Sequence, residues 1–157
     1  MTTGSASVVI NRDPAAVFAL IADVTRTGEW SPECIAGRWV EGASDSPAGP
    51  AVGAKFEGDN TLVIGGMTLK RWTTTSEVTE FVPGERFAFL AEEYTTWRYV
   101  LEPVGDGTRV TESFDFTTAS AVQRFLYESI ARRPASLVKG MQKTLDRMKA
   151  HLEATTA

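Results

Sequence analysis

The 157-residue chain has one cysteine, Cys34, and one histidine, His151. A single cysteine excludes an internal disulfide framework and any cysteine-rich zinc site, and the shortage of both residues argues against metal sites in general. It also argues against Ser-His-Asp and Cys-His designs, in which a base must stand beside the nucleophile. His151 falls at the edge of a C-terminal apolar stripe and reads as a surface histidine; Cys34 follows Pro32 and reads as a buried structural thiol beside Trp30. Positive charge is not in excess. Sixteen Lys and Arg against twenty Asp and Glu leave a formal charge of −4, so the molecule as a whole offers no field for nucleic acid or acidic membranes. No apolar run approaches the ~18 residues of a membrane-spanning helix, so stable membrane insertion is not expected. Met1-Thr2-Thr3-Gly4 lacks the basic and apolar regions of a signal peptide, which points to a reduced, cytoplasmic setting. Gly65-Gly66 and Gly105-Asp106-Gly107 lack the spacing of a phosphate loop and read as turns.

What is present is a 43% hydrophobic chain, enough to bury a real core in one domain over residues 1–157, ordered from about 5 to 153. Ser7–Asn11 reads as a strand. Asp13-Pro14 opens a helix, with Asp as the expected cap and Pro at a position whose missing N–H is not needed. Val17, Leu20, Ile21 and Val24 recur at helical spacing, and Arg26–Trp30 suggests a second short helix or turn, stopped at Pro32. Six further strands are expected near Gly37–Glu41, Val52–Asn60, Thr68–Glu80, Arg86–Ala91, Thr95–Glu102 and Thr108–Thr117. A flexible loop is expected at Ser44–Pro50, and the remaining connections are too short for parallel crossovers, so the strands should pair antiparallel. Ser120-Ala121-Val122-Gln123 has the capping-box pattern and should start a helix running to about Arg132, interrupted or kinked at Pro134. Leu137, Val138, Met141, Leu145, Met148 and Leu152 then form the stripe of a long amphipathic helix.

Strand alternation assigns faces. Trp97, Tyr99 and Leu101 share one, as do Phe87 and Phe89, and Val110, Glu112, Phe114 and Phe116. In the second strand run the inward set is Ala54, Phe56, Gly58 and Asn60; the phase of Trp72, on a strand long enough to carry a bulge, is open. A concave face so rich in rings is either a filled core or the wall of a pocket. Asn60 and Glu112 are the polar groups that fall on it. A carboxylate among such neighbours has its charged form disfavoured; the alternative is that Glu112 meets water at the strand's end or pairs with an arginine.

The order Val8–Pro14, Val17–Asp23, Glu29-Trp30-Ser31-Pro32, Val52–Asn60, Val78–Phe87, Trp97–Pro103 and Gly107–Ser113 resembles the START/Bet v 1-like (SRPBCC) superfamily, most closely its polyketide cyclase/dehydrase branch. The resemblance covers Ser7 to about Glu153 and implies an α+β helix-grip fold. In that fold a seven-stranded curved antiparallel sheet wraps a long C-terminal helix, with two short helices between strands 1 and 2. It also implies a hydrophobic ligand cavity, no obligatory cofactor, and no catalytic residue that transfers by match.

Three functions follow as expectations. The first is a carrier or sensor that binds a small hydrophobic or aromatic ligand, such as a lipid or polyketide, between sheet and helix. Its wall residues would be Trp30, Phe56, Trp72, Phe87, Phe89, Trp97, Tyr99, Phe114 and Met141, with Asn60 and Glu112 orienting the ligand's polar end. The second is a cyclase or dehydratase in which Glu112, with Tyr99 or Asn60, moves protons. The third is a regulatory or toxin–antitoxin-like interaction protein. An exposed sheet edge leaves a homodimer open.

Overall fold

The computed structural model describes residues 3–41, 50–116, 119–125 and 133–154. Its strands are β1 (Thr3–Ile10), β2 (Cys34–Glu41), β3 (Lys55–Ile64), β4 (Met67–Val82), β5 (Arg86–Ala91), β6 (Thr95–Val104) and β7 (Gly107–Asp115). Its helices are α1 (Pro14–Ile21), α2 (Thr27–Trp30), α3 (Ala121–Phe125) and α4 (Arg133–Ala154), with a 3-10 turn at Val24–Arg26. The seven strands form one antiparallel sheet in the order β1-β7-β6-β5-β4-β3-β2. Short hairpins put β3 to β7 side by side in chain order. β1 then closes on β7, and α4 packs along β1 and β7 on the concave side.

Local chemistry places the boundaries. β3 starts at Lys55 rather than Val52 because Gly53 turns the chain at φ +93° and its N–H bonds the Val78 carbonyl. β3 runs on to Ile64 because Leu62–Ile64 pair with the start of β4 across Gly65-Gly66, both at positive φ as a two-residue hairpin requires. A bulge does fall on β4, between Val78 and Glu80, and a second register shift lies at Leu62/Val63. Asp13 does not cap α1 through its side chain; its carbonyl accepts from Val17 N–H instead. Asp23 is the capping carboxylate, accepting from Thr25 N–H at 3.1 Å to start the 3-10 turn. The capping box at Ser120 forms as expected: Ser120 N–H donates to Gln123 Oε1 at 2.8 Å and Gln123 N–H to Ser120 Oγ at 3.2 Å. α4 begins at Arg133, which puts Pro134 in its first turn, where its lost donor is harmless; the stretch 126–132, on which the expected interruption bears, lies outside the described residues. The expected loop at Ser44–Pro50 up to Gly49, and the helix end between 126 and 132, lie outside the described residues.

The concave side is apolar. Leu137, Met141, Leu145, Met148 and Leu152 of α4 are buried against Ile10, Val110, Leu101 and the rings of β5 to β7. The convex side is polar, with Arg38 between Glu57 and Asp59, and Glu80 between Arg86 and Arg98. Such half-exposed pairs contribute little each, so the core carries the stability.

Two glycines let the short helices settle on β2. A Cβ at Gly28 would stand 2.2 Å from the Ile35 carbonyl oxygen, and one at Gly37 the same distance from that of Val24. Gly→Ala in an unobstructed helix gains about 1 kcal/mol. Here Gly28→Ala is expected to lower stability by roughly 1–3 kcal/mol, because backbone rather than a side-chain tip stands in the way. Urea unfolding of the variant checks it; an unchanged or raised midpoint would show that α2 lifts off β2 freely.

Candidate functional site

Glu112 lies in the middle of β7, with Ala6 of β1 on one flank and Tyr99 of β6 on the other. It is 5% exposed. Tyr99 Oη donates to Glu112 Oε1 at 2.9 Å, while Oε2, also buried, has no hydrogen-bond partner. Burial pushes the carboxyl up from 4.5 to about 8, against the opposing effect of the Tyr99 hydrogen bond. The side chain is therefore a neutral acid at pH 7, with a proton to donate. Tyr99 is raised well above 10, first by burial and then by Glu112, and Cys34 adds to the shift.

The register lays out the wall around this pair. On one side come Val110 and Leu101, one step along their strands, and Phe87 beside Tyr99. Phe87 meets Phe18 and Phe81 edge-on at 6.4 and 6.0 Å, which fills that half of the grip. On the other side the row Phe114–Trp97–Phe89 crosses β7, β6 and β5, with Phe114 buried and Trp97 and Phe89 half-buried. Val138 of α4 faces the same row: a Cβ at Gly4 would stand 2.6 Å from the Phe114 ring and 2.8 Å from Val138. The acid–phenol pair thus sits at the boundary between a closed half and a half whose rings reach the surface.

Most of the expected wall residues are inward. Phe56, Phe87, Tyr99, Phe114 and Met141 are buried in the core, and Trp97 and Phe89 pack on it. Asn60 also points inward, but three strands separate it from β7, and it is paired with Trp72 of β4. Its Nδ2 donates to the Gly58 carbonyl at 3.1 Å and to Thr74 Oγ1 at 3.2 Å. The amide nitrogen therefore fastens the sheet. Trp72, whose phase the sequence leaves open, lies on the same face and is half-exposed under Lys70.

Three expectations are corrected. Trp30 is not among the sheet's rings; it fills the seam of α2 and α4, 5.0 Å from the His151 ring and under Arg26, while its carbonyl accepts from Arg147. Its Nε1 is the second buried polar atom without a partner among the described residues. His151 is accordingly half-buried rather than a free surface residue, because the last turns of α4 lean on α2. Cys34 is half-buried rather than buried: it opens β2, and its thiol reaches the Ala36 carbonyl and closely approaches Gly58. Burial pushes that thiol up, away from the thiolate.

Two hollows stand out among the described residues, and neither is lined by α4. One of about 370 Å³ lies by Lys55, Thr75, Glu77, Leu90, Glu92 and Glu93; another of about 220 Å³ lies by Ala19, Ala22, Asp23, Trp39 and Pro50. Between sheet and α4, Met141, Leu145, Val110, Phe114 and Phe116 belong to one buried cluster. No group of three or more His, Cys, Asp or Glu suited to a metal ion occurs among the described residues.

Sheet, gripped helix and inward acid define a helix-grip protein. The profile of the family "Polyketide cyclase / dehydrase and lipid transport" matches residues 1–153, and the chain belongs to that family. It is similar to a polyketide-cyclase-like protein of Corynebacterium glutamicum, at 35% identity over 98% of this chain and 92% of that one, with a TM-score of 0.64. The KanY protein (21% identity, 96% and 97% covered, TM-score 0.69) shares the fold. So does a protein of Thermus thermophilus (17% identity, 99% of each covered, TM-score 0.66). Among curated proteins none matches the chain.

Proposed function

We propose that this protein binds a small, largely apolar molecule between the half-open row Trp97–Phe89–Phe114 and α4, with its polar end on Glu112. The carrying observation is the unpartnered buried Oε2 of Glu112. Buried polar atoms are nearly always satisfied, and an exception calls for a partner. As a neutral acid Glu112 donates one strong hydrogen bond and suits a ligand hydroxyl or carbonyl. The half-buried Trp97, Phe89 and Val138 are the wall that must move, since the hollows found lie elsewhere. The family and its lipid-transport members support the reading.

Native mass spectrometry of the purified protein, before and after denaturation, tests it. The expected result is a small-molecule mass that disappears on denaturation, or, for emptied protein, saturable binding of a fluorescent fatty acid. Glu112→Leu, which removes both oxygens, should weaken that binding roughly tenfold, the worth of one good hydrogen bond at a buried site. A clean protein mass together with no saturable binding removes the reading.

A second reading, an enzyme of the cyclase or dehydratase kind, is favoured by the carboxyl's value of about 8 beside a phenol at 2.9 Å. General acid–base groups work best near the ambient pH. Under that reading Glu112→Gln abolishes turnover more than it weakens binding.

A further inference from the structure

We infer that the β3–β4 ribbon docks this protein onto a bilayer surface carrying anionic headgroups. β2 pairs with β3 only as far as Asn60, and β5 with β4 only from Ser76 onward. Between those limits, Leu62–Ile64 and Met67–Lys70 pair with one another alone among the described residues, and Arg71 pairs with Thr61, whose N–H also bonds the Glu33 carbonyl. They form a two-stranded ribbon that projects past the sheet. A ribbon of this kind is marginal by itself and gains from covering its apolar side chains.

Its tip is unusually apolar for a projecting turn. Val63, Ile64, Met67 and Leu69 are 50, 61, 68 and 57% exposed around Gly65-Gly66. Isolated exposed apolar residues are ordinary, but four on one ribbon mark a contact surface.

The charge pattern decides the occupant. The chain holds twenty acidic residues, yet Thr61–Trp72 contains none, and it carries Lys70 and Arg71. At about 3.3 Å per residue these cations sit roughly 10 Å behind Met67. That is the depth at which headgroups lie when an apolar tip enters the acyl boundary by ~5–10 Å. Trp72 follows at the neck, half-exposed with Lys70 Nζ 5.3 Å from its ring, a side chain suited to the interface. A protein partner would need an acidic, apolar-grooved face matched to this ribbon, whereas a bilayer supplies both features at the right depths.

The acidic turn at Glu92 and Glu93 lies at the level of Ala91, behind the ribbon. The contact is peripheral: no described helix is long and apolar enough to span a membrane.

Co-sedimentation with phosphatidylcholine vesicles, with and without phosphatidylglycerol, tests the inference on the full chain. The expected result is binding to the anionic vesicles that weakens with added salt. Neutralising both cations (Lys70→Gln with Arg71→Gln) should reduce the partition coefficient roughly thirtyfold, at about fivefold per charge near the surface. Ile64→Asp with Met67→Asp should abolish it while leaving the thermal midpoint unchanged, since both side chains are exposed. Wild type left in the supernatant at low salt overturns the inference, as does undiminished binding of both double variants. Loss of a dimer in the aspartate variant, with no vesicle capture by wild type, overturns it in favour of self-association.

Discussion

Glu112→Gln is expected to stabilise the protein at neutral pH, by about 3 kcal/mol at pH 7. The folded carboxyl titrates near 8 and its ordinary value is 4.5. Between those values the folded state holds a proton that the unfolded state has released. Each pH unit in that window therefore removes about 1.4 kcal/mol from the stability. The contribution is fully present below pH 4.5 and is lost as pH rises through about 8. Glutamine keeps an oxygen for the Tyr99 hydroxyl and has no proton to lose. The variant and wild type should be equally stable near pH 4.5 and diverge above it, with the melting temperature of the variant roughly 6–12 °C higher at pH 7. Denaturant unfolding at several pH values measures both. A wild-type stability that stays level from pH 5 to 8 would mean that water reaches Glu112. An acid kept at this expense in stability is what a binding or proton-transfer group looks like, which ties this experiment to the ligand assays.

Phe87→Ala should destabilise the protein by about 4 kcal/mol, the largest loss expected of a single truncation here. Phe87 is 1% exposed and meets Phe18, Phe81, Phe89 and Tyr99 at ring separations of 5.8–6.5 Å. Its ring joins α1 to the sheet, so the cavity left cannot be closed from one side alone. The exposed ring of Phe125 is the control: Phe125→Ala should change stability by less than about 0.5 kcal/mol. Equal effects of the two substitutions in urea would mean that the closed half of the grip is not the folding core.

The inward faces of β5, β6 and β7 were legible because alternation is a property of the strand itself. Phe87, Tyr99, Leu101, Val110, Glu112 and Phe114 could be assigned without knowing what faced them, and they are buried. The same holds for the stripe Leu137–Leu152 and the Ser120 capping box, whose partners lie within four residues. Strand ends were less legible. β3 begins at Lys55 because of the φ of Gly53, and it continues past Asn60 because β4 is there to pair with it.

Contacts between elements far apart in the chain were not legible at all. Trp30 meets His151 only because α2 is laid on α4, and that depends on Gly28 and Gly37 admitting the Ile35 and Val24 carbonyls. Asn60 and Glu112 share an inward phase, but the sheet order puts β4, β5 and β6 between them. By itself the sequence determined the family, the helix-grip fold and the face of each core strand, because periodicity and turn chemistry act over a few residues. Only the tertiary structure decided that Tyr99 satisfies one oxygen of Glu112 and leaves the other bare, and that the β3–β4 ribbon stands clear of the sheet. Both depend on where neighbouring strands start and stop, and thus on the packing of the whole molecule.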